Sequence, residues 1–221
     1  MHRFIIILLL LFIVTSCYHV TVDYPLEVQQ YYKYYNEDDM AKYQYGLMGL
    51  IELINSNETD RRIKRSAIIA IGEFTNNNNE FSANILKEHA IPALIGSLKS
   101  NEEFVKVKAI ESLEMMKPDP VEVLPIYVGL LKHDNIDLVC RALWAIRHYR
   151  DKAGPFLDEI CQLLDHAEWL VRGSAIDTIK AVGIPDNATL EKLEEIAMND
   201  PSESVRRAAR DAIKYIREQS P

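Results

Sequence analysis

Apolar residues recur at the helical spacing i, i+3, i+7, and the same signature returns every 33 residues. Ile91, Leu124, Leu157 and Leu190 form one register, Leu94, Tyr127, Ile160 and Leu193 a second, and Leu98, Leu131, Leu164 and Ala197 a third. Residues so spaced lie on one face of an α-helix. A second helix is predicted in each unit around a small residue: Ala67, Ala109, Ala142, Ala175 and Ala209. Four residues before each stands Ile63, Val105, Leu138, Val171 or Val205, and four after stands Ile71, Leu113, Ile146, Ile179 or Ile213. The alanine lets two helices approach closely. Breakers separate the units: Asn76–Asn79, Pro118-Asp119-Pro120, Gly154-Pro155, Gly183-Ile184-Pro185 and Asp200-Pro201. A supersecondary unit repeated at this period cannot bury its apolar face alone and must stack on its neighbours.

These residues resemble HEAT repeats of the short bacterial kind. Asp200-Pro201-Ser202-Glu203-Ser204-Val205-Arg206-Arg207-Ala208-Ala209 is similar to that family's turn and second-helix opening, and Ala142-Leu143-Trp144-Ala145-Ile146 to the middle of its second helix. Ile85 to Leu98 looks more like an armadillo repeat, and the step of 42 from Ala67 to Ala109 leaves room for an extra short helix. The resemblance implies an all-α, right-handed α-solenoid of about five two-helix HEAT/armadillo-like repeats over residues 40–217. The family's second-helix cation falls at Lys64, Lys106, Arg172 and Arg206, with Val139 breaking the series. The family pairs this cation with an Asp in the preceding turn, so Asp200 is expected to meet Arg206.

The last unit, near residues 186–217, reads as a cap. Ile110, Leu143 and Ile176 give way to Arg210, and Ile95, Val128 and Cys161 give way to Glu194. A solenoid needs a polar outer face on its terminal repeat. The stripe Arg206, Arg210, Lys214 and Arg217 is read as a solvated face, with a basic docking stripe as the sharper alternative.

The amino-terminal end reads as an address. Arg3 precedes an unbroken apolar run, Phe4 to Val14, too short for a comfortable membrane span. The run ends in Val14-Thr15-Ser16-Cys17, which resembles the lipobox of bacterial lipoproteins. This implies that residues 1–16 are a signal peptide and that Cys17 becomes the acylated amino terminus, a palmitate-bearing anchor in the cell envelope. Tyr18 after it resembles outer-membrane sorting, facing the periplasm. The alternative is an ordinary cleaved signal with a cysteine near the cut. Residues 17–39 are expected to be a Tyr-rich tether, and eight of the eleven tyrosines lie between 18 and 45. Pro25 suits the start of a helix running to about Asn36. Its rings either cover the first repeat or form an aromatic surface at the membrane.

Charge and composition narrow the function. The chain is acidic overall, at −8, which disfavours a nucleic-acid partner. Six His are present, none in an HExxH or zinc-spaced cluster. His133 and His166, 33 apart, are equivalent turn positions, read as surface turn residues. Cys140 and Cys161 are expected as buried thiols rather than a disulfide. No His-Glu dipeptide, G-x-S-x-G elbow or phosphate-cradling glycine loop occurs. No catalytic residue, metal or cofactor is therefore expected.

What remains is a surface. Two residues after each marker alanine stand Ile69, Glu111, Trp144, Asp177 and Asp211, and five after stand Gly72, Glu114, Arg147, Lys180 and Lys214. Helical arithmetic points both sets away from the core, onto the concave side in such solenoids. Trp and Arg dominate interface hot spots, so Trp144 with Arg147 is the expected centre of a protein-binding site, with Glu111, Asp177, Lys180, Asp211 and Lys214 around it. The bland alternative packs Trp144 on a neighbouring repeat and leaves Asp177–Lys180 and Asp211–Lys214 as i,i+3 pairs. The expected function is a membrane-anchored protein-interaction scaffold. Two alternatives stay open: a cofactor-handling protein akin to HEAT-like phycobilin lyases, and a structural spacer.

Overall fold

The computed structural model describes residues 25–34, 40–56, 59–74, 84–183 and 186–219. The signal segment, Cys17, most of the tether and residues 75–83, part of the 42-residue step, lie outside them. The described residues are helical and contain no strand.

Helix α1 (Leu26–Tyr32) precedes the array. The helix pairs are α2 (Met40–Asn55) with α3 (Arg61–Glu73), α4 (Ile91–Ser97) with α5 (Glu103–Met116), and α6 (Pro120–Leu130) with α7 (Ile136–Arg147). The fourth unit pairs the short α8 (Leu157–Cys161) with α9 (Trp169–Val182), and the fifth pairs α10 (Asn187–Asn199) with α11 (Glu203–Gln219). Each second helix packs on the next: α3 on α5, α5 on α7, α7 on α9, α9 on α11.

The repeat registers are the core. All five marker alanines are fully buried, and so are Leu94, Tyr127, Ile160 and Leu193. Leu157, Leu190 and Ala197 are half-buried at the edge. Turn chemistry starts the helices: Asp60, Asp119, Asn135 and Asp186 each accept a backbone N–H from the first turn they precede. His133 and His166 do the equivalent job one repeat apart, each Nδ1 accepting the N–H two residues on, from Asn135 at 3.1 Å and Glu168 at 3.0 Å.

Two first helices depart from the regular pattern. A π-helical turn, Leu86–Ala90, leads into α4 and places the Ile91 N–H on the Leu86 carbonyl. Pro92 has no N–H to continue the α ladder, and a one-turn π-bulge absorbs the mismatch. In the fourth unit a 3₁₀ segment, Arg150–Phe156, contains Gly154-Pro155, and a second, Gln162–Asp165, follows α8. The proline and glycine shorten the helix, yet Ile160 and Leu164 stay buried.

Helix α1 is shorter than the pattern suggested, ending at Tyr32 with a turn at Lys33 and Tyr34. It lies across α2 and α3. The Tyr31 ring occupies the space where a Cβ on Gly49 would project, so only glycine admits it. The Tyr32 hydroxyl donates to Glu73, and the Tyr32 ring meets Phe74 edge-on. These tyrosines cover the open end of the first repeat.

The cap is polar and internally satisfied. Arg210 is exposed, donating to Glu203 and to the Ala197 carbonyl, and Arg217 donates to Glu194 at 2.5 Å. The basic stripe is thus largely tied to its own carboxylates, while Lys214 stays exposed.

The expected Asp200–Arg206 carboxylate pair is not formed. Arg206 Nη1 donates to the Asp200 carbonyl at 2.5 Å and Nη2 to Glu203. The Asp200 carboxylate is held by Arg172 of the preceding repeat, because the turn before α11 stacks on the opening of α9. Cys140 and Cys161 are half-buried rather than buried, each at a helix edge. Burial raises both thiol pKa values, and Cys161 Sγ lies 3.4 Å from Thr189 Oγ1.

Candidate protein-interaction surface

The exposed positions of α3, α5, α7, α9 and α11 form a continuous surface, because successive second helices pack side by side. Trp144 sits near its middle, on α7. Its indole is 49 % exposed, so it is not packed away against a neighbouring repeat. The Arg147 guanidinium lies 3.9 Å over the ring and the His148 imidazole meets it edge-on at 5.9 Å. Trp144 and Arg147 are one turn apart, which lets the guanidinium stack back on the indole. Arg147 has no carboxylate within 4.0 Å among the described residues.

Glu111 of α5 bridges two helices. It accepts from Lys108 on its own helix at 2.6 Å and faces Arg141 of α7 at 3.4 Å. Lys180 lies over the Tyr215 ring at 5.4 Å, a contact from α9 to α11. Asp177 and Asp211 are exposed and make no ion pair within 4.0 Å among the described residues. The i,i+3 pairs Asp177–Lys180 and Asp211–Lys214 are therefore not formed. Ile69 is half-buried and packs on the core.

Two of the positions assigned to the surface lie against the neighbouring repeat. Gly72 is buried, and a Cβ there would stand 2.8 Å from Ser112 Oγ. The Ser112 hydroxyl donates to the Ile68 carbonyl of α3 at 3.0 Å. Two repeats further on, the Thr178 hydroxyl is shared between the Ser174 carbonyl of its own helix at 2.7 Å and the Leu143 carbonyl of α7 at 3.2 Å. Ser112 and Thr178 each stand three residues after a marker alanine, where the other units have Ala70, Ala145 and Ala212. This polar stitch was visible in the sequence only as a small-residue column.

Glu114 is the second correction. Five residues after its marker, its side chain is only 18 % exposed, against the α7 end that carries His148. Its Oε1 is buried with no hydrogen-bond partner among the described residues. His148 Nδ1 lies 3.5 Å away, within ion-pair reach of a protonated imidazole. Burial raises the Glu114 pKa to about 7, with Glu111 adding repulsion and Arg141 and Arg147 opposing it. Burial lowers the His148 pKa, helped by Arg147 and Lys117. The Tyr149 hydroxyl donates to the Pro118 carbonyl at 3.2 Å, and burial raises its pKa to about 12, with repulsion from Glu114 contributing.

A second feature escaped the sequence reading, which singled out Lys64 alone. Arg61, Arg62, Lys64 and Arg65 crowd the first two turns of α3. None has a carboxylate within 4.0 Å among the described residues. Arg65 lies over the half-exposed Phe104 ring at 4.1 Å.

Among the described residues no helix is long and apolar enough to cross a membrane, and no three His, Cys, Asp or Glu gather as a metal site. Residues 124–214 match the family model described as HEAT repeats. No curated protein matches the chain. A designed armadillo repeat protein in complex with the peptide (KR)4 superposes with a TM-score of 0.61 at 19% identity, covering 86% of this chain and 99% of its own. Computationally designed armadillo repeat proteins for modular peptide recognition superpose at 0.60 and 18% identity, covering 86% and 91%. A third engineered protein does so at 0.58 and 18%, covering 88% and 100%. Two helices per unit, a buried alanine in each second helix and these neighbours give the chain the fold of an all-α solenoid of HEAT/armadillo-like repeats.

Proposed function

We propose that this protein is a lipid-anchored scaffold of the bacterial cell envelope that binds another protein on the exposed face of its second helices, the concave side. The observation that carries the reading is the Trp144–Arg147 stack. A half-exposed indole under a guanidinium that has no carboxylate within 4.0 Å among the described residues, at mid-array, is the residue pair and location of an interface hot spot. The neighbouring peptide-binding designs support a protein partner through the fold they share. The lipid on Cys17 fixes that surface at a membrane, and the role is binding rather than catalysis.

In-cell crosslinking and affinity capture from envelope fractions tests the site, comparing the native chain with Trp144→Ala/Arg147→Ala. A specific partner is expected with the native chain and lost in the variant, whose circular dichroism stays native. Equal capture by both rejects the site. Palmitate labelling of the native chain and of Cys17→Ser tests the anchor separately.

A further inference from the structure

The four cations of α3 differ from the other basic clusters. Arg206, Arg210 and Arg217 at the carboxyl-terminal end are paired with Glu203 and Glu194. Arg61, Arg62 and Arg65 are exposed, Lys64 is half-buried, and none has a carboxylate within 4.0 Å among the described residues. Like charges at i,i+3 and i,i+4 repel along a helix face, so the cluster costs stability in the isolated protein. It stands out in a chain whose net charge is −8.

Its surroundings mix exposed apolar and polar side chains and include helix α1, the first described helix of the chain. Leu26, 77 % exposed, lines a cleft with Pro25, Asp60, Arg62 and Ile63. Phe104 lines the adjoining cleft with Arg61, Arg62 and Arg65. The carboxylates in these clefts are Glu27, Asp60 and Glu102. Asp60 is engaged by the Arg62 N–H. Pro25 stands eight positions after Cys17, a reach of at most about 28 Å.

We propose that the α1–α3 end of the solenoid, with Arg61, Arg62, Lys64 and Arg65 around Leu26, docks on anionic phospholipid headgroups of the membrane that holds the anchor. The inference rests on the lipid-anchor reading of Cys17. Cations of a polybasic patch gain from a negative lipid surface, and a patch beside an acyl anchor supplies the second signal that makes attachment stable. Docking at this end stands the array away from the bilayer and leaves the Trp144 face free for a partner.

The test uses the chain from Cys17 onward, without acyl chains, which keeps every described residue. It is floated with vesicles of phosphatidylcholine alone and with vesicles one-third phosphatidylglycerol. Partition into the anionic vesicles is expected to exceed that into neutral ones at least tenfold and to fall about tenfold at high salt. Arg61→Glu/Arg62→Glu should abolish the preference, Arg61→Gln/Arg62→Gln reduce it, and Arg207→Glu/Lys214→Glu at the far end leave most of it. No binding, equal binding to both vesicles, or equal loss in the far-end variant overturns the proposal. Because no acyl chain is present, such a failure leaves the anchor reading standing, and absence of palmitate on Cys17 in cells would instead remove the anchor.

Discussion

Arg172 grips both carboxylate oxygens of Asp200, its Nε donating to Oδ2 at 2.7 Å and its Nη2 to Oδ1 at 2.8 Å. The same guanidinium donates to the His166 and Ala167 carbonyls at 2.8 and 2.9 Å. One side chain thereby locks the turn before α9 to the turn before α11. Asp200 also accepts the Ser202 N–H at 2.8 Å, starting α11. The pair is nearly enclosed, so removing the arginine leaves a buried carboxylate without its partner.

Arg172→Ala is accordingly expected to cost about 3 kcal/mol at pH 7, the range for breaking a buried ion pair. Hydrogen bonds from Arg172 hold the Asp200 pKa below the usual carboxylate range. A depressed folded pKa contributes stability above the unfolded value, near 4, and loses it as pH falls through the folded value. Urea unfolding should show the native chain and Arg172→Ala converging below about pH 4. A gap that stays constant with pH rejects the role assigned to the pair.

Glu114 has the opposite sign. Its folded pKa, about 7, lies above the ordinary glutamate value of 4.5 because burial penalises the charged form. Between those values the unfolded carboxyl ionises while the folded one keeps its proton, so its contribution to stability falls as pH rises. His148, lowered by burial, runs the other way, losing stability as pH falls. Glu114→Gln keeps the shape without the charge and should stabilise the protein by about 2 kcal/mol at pH 8, with little difference at pH 4. Thermal melts across that range check it, and parallel curves would show that Glu114 ionises freely in the fold.

Gly72 and Ser112 set the spacing of α3 and α5. Gly72→Ala places a methyl 2.8 Å from Ser112 Oγ and 3.2 Å from its Cβ. The hydroxyl must leave the Ile68 carbonyl or the helices must separate. A loss of about 2 kcal/mol is expected, typical of overpacking. Adding Ser112→Ala should recover part of it, since the oxygen goes but the Cβ stays. A double-mutant cycle measures the coupling, and strict additivity would place the strain elsewhere.

The sequence carried the solenoid because its apolar columns obey one helical period and one repeat period at once. Ala142, Leu138 and Ile146 were assignable to the core from spacing alone, and all three are fully buried. Spacing failed where a residue's fate depends on the neighbouring repeat. Gly72 and Glu114 share the helical position of the surface residues Arg147 and Lys214, yet both lie against the neighbouring repeat. Arg172 was legible as a second-helix cation, but its partner belongs to the next repeat, and helical arithmetic within one unit cannot reach across. At the candidate site, Trp144 was identifiable by type and register. The guanidinium over its ring and the imidazole at its edge required the three-dimensional packing of α7.

The last prediction concerns the end of the array. Ile110, Leu143 and Ile176 are fully buried because a following second helix covers each one. Arg210 holds the same position in α11, where no sixth unit follows among the described residues, and it is exposed. Glu194 stands likewise where Val128 is buried in α6, and it is held by Arg217. Replacing both, Arg210→Ile/Glu194→Val, would restore to the terminal unit the apolar face that internal repeats bury. An exposed face of that kind seeks a partner, and the one available in a pure sample is another copy. Sedimentation at tens of micromolar should show self-association by the variant and a monomer for the native chain. The single substitution Lys214→Ile lies off the stacking column and should leave the variant monomeric. A monomeric double variant with an intact fold would mean that the charges at 194 and 210 are not what terminates the solenoid.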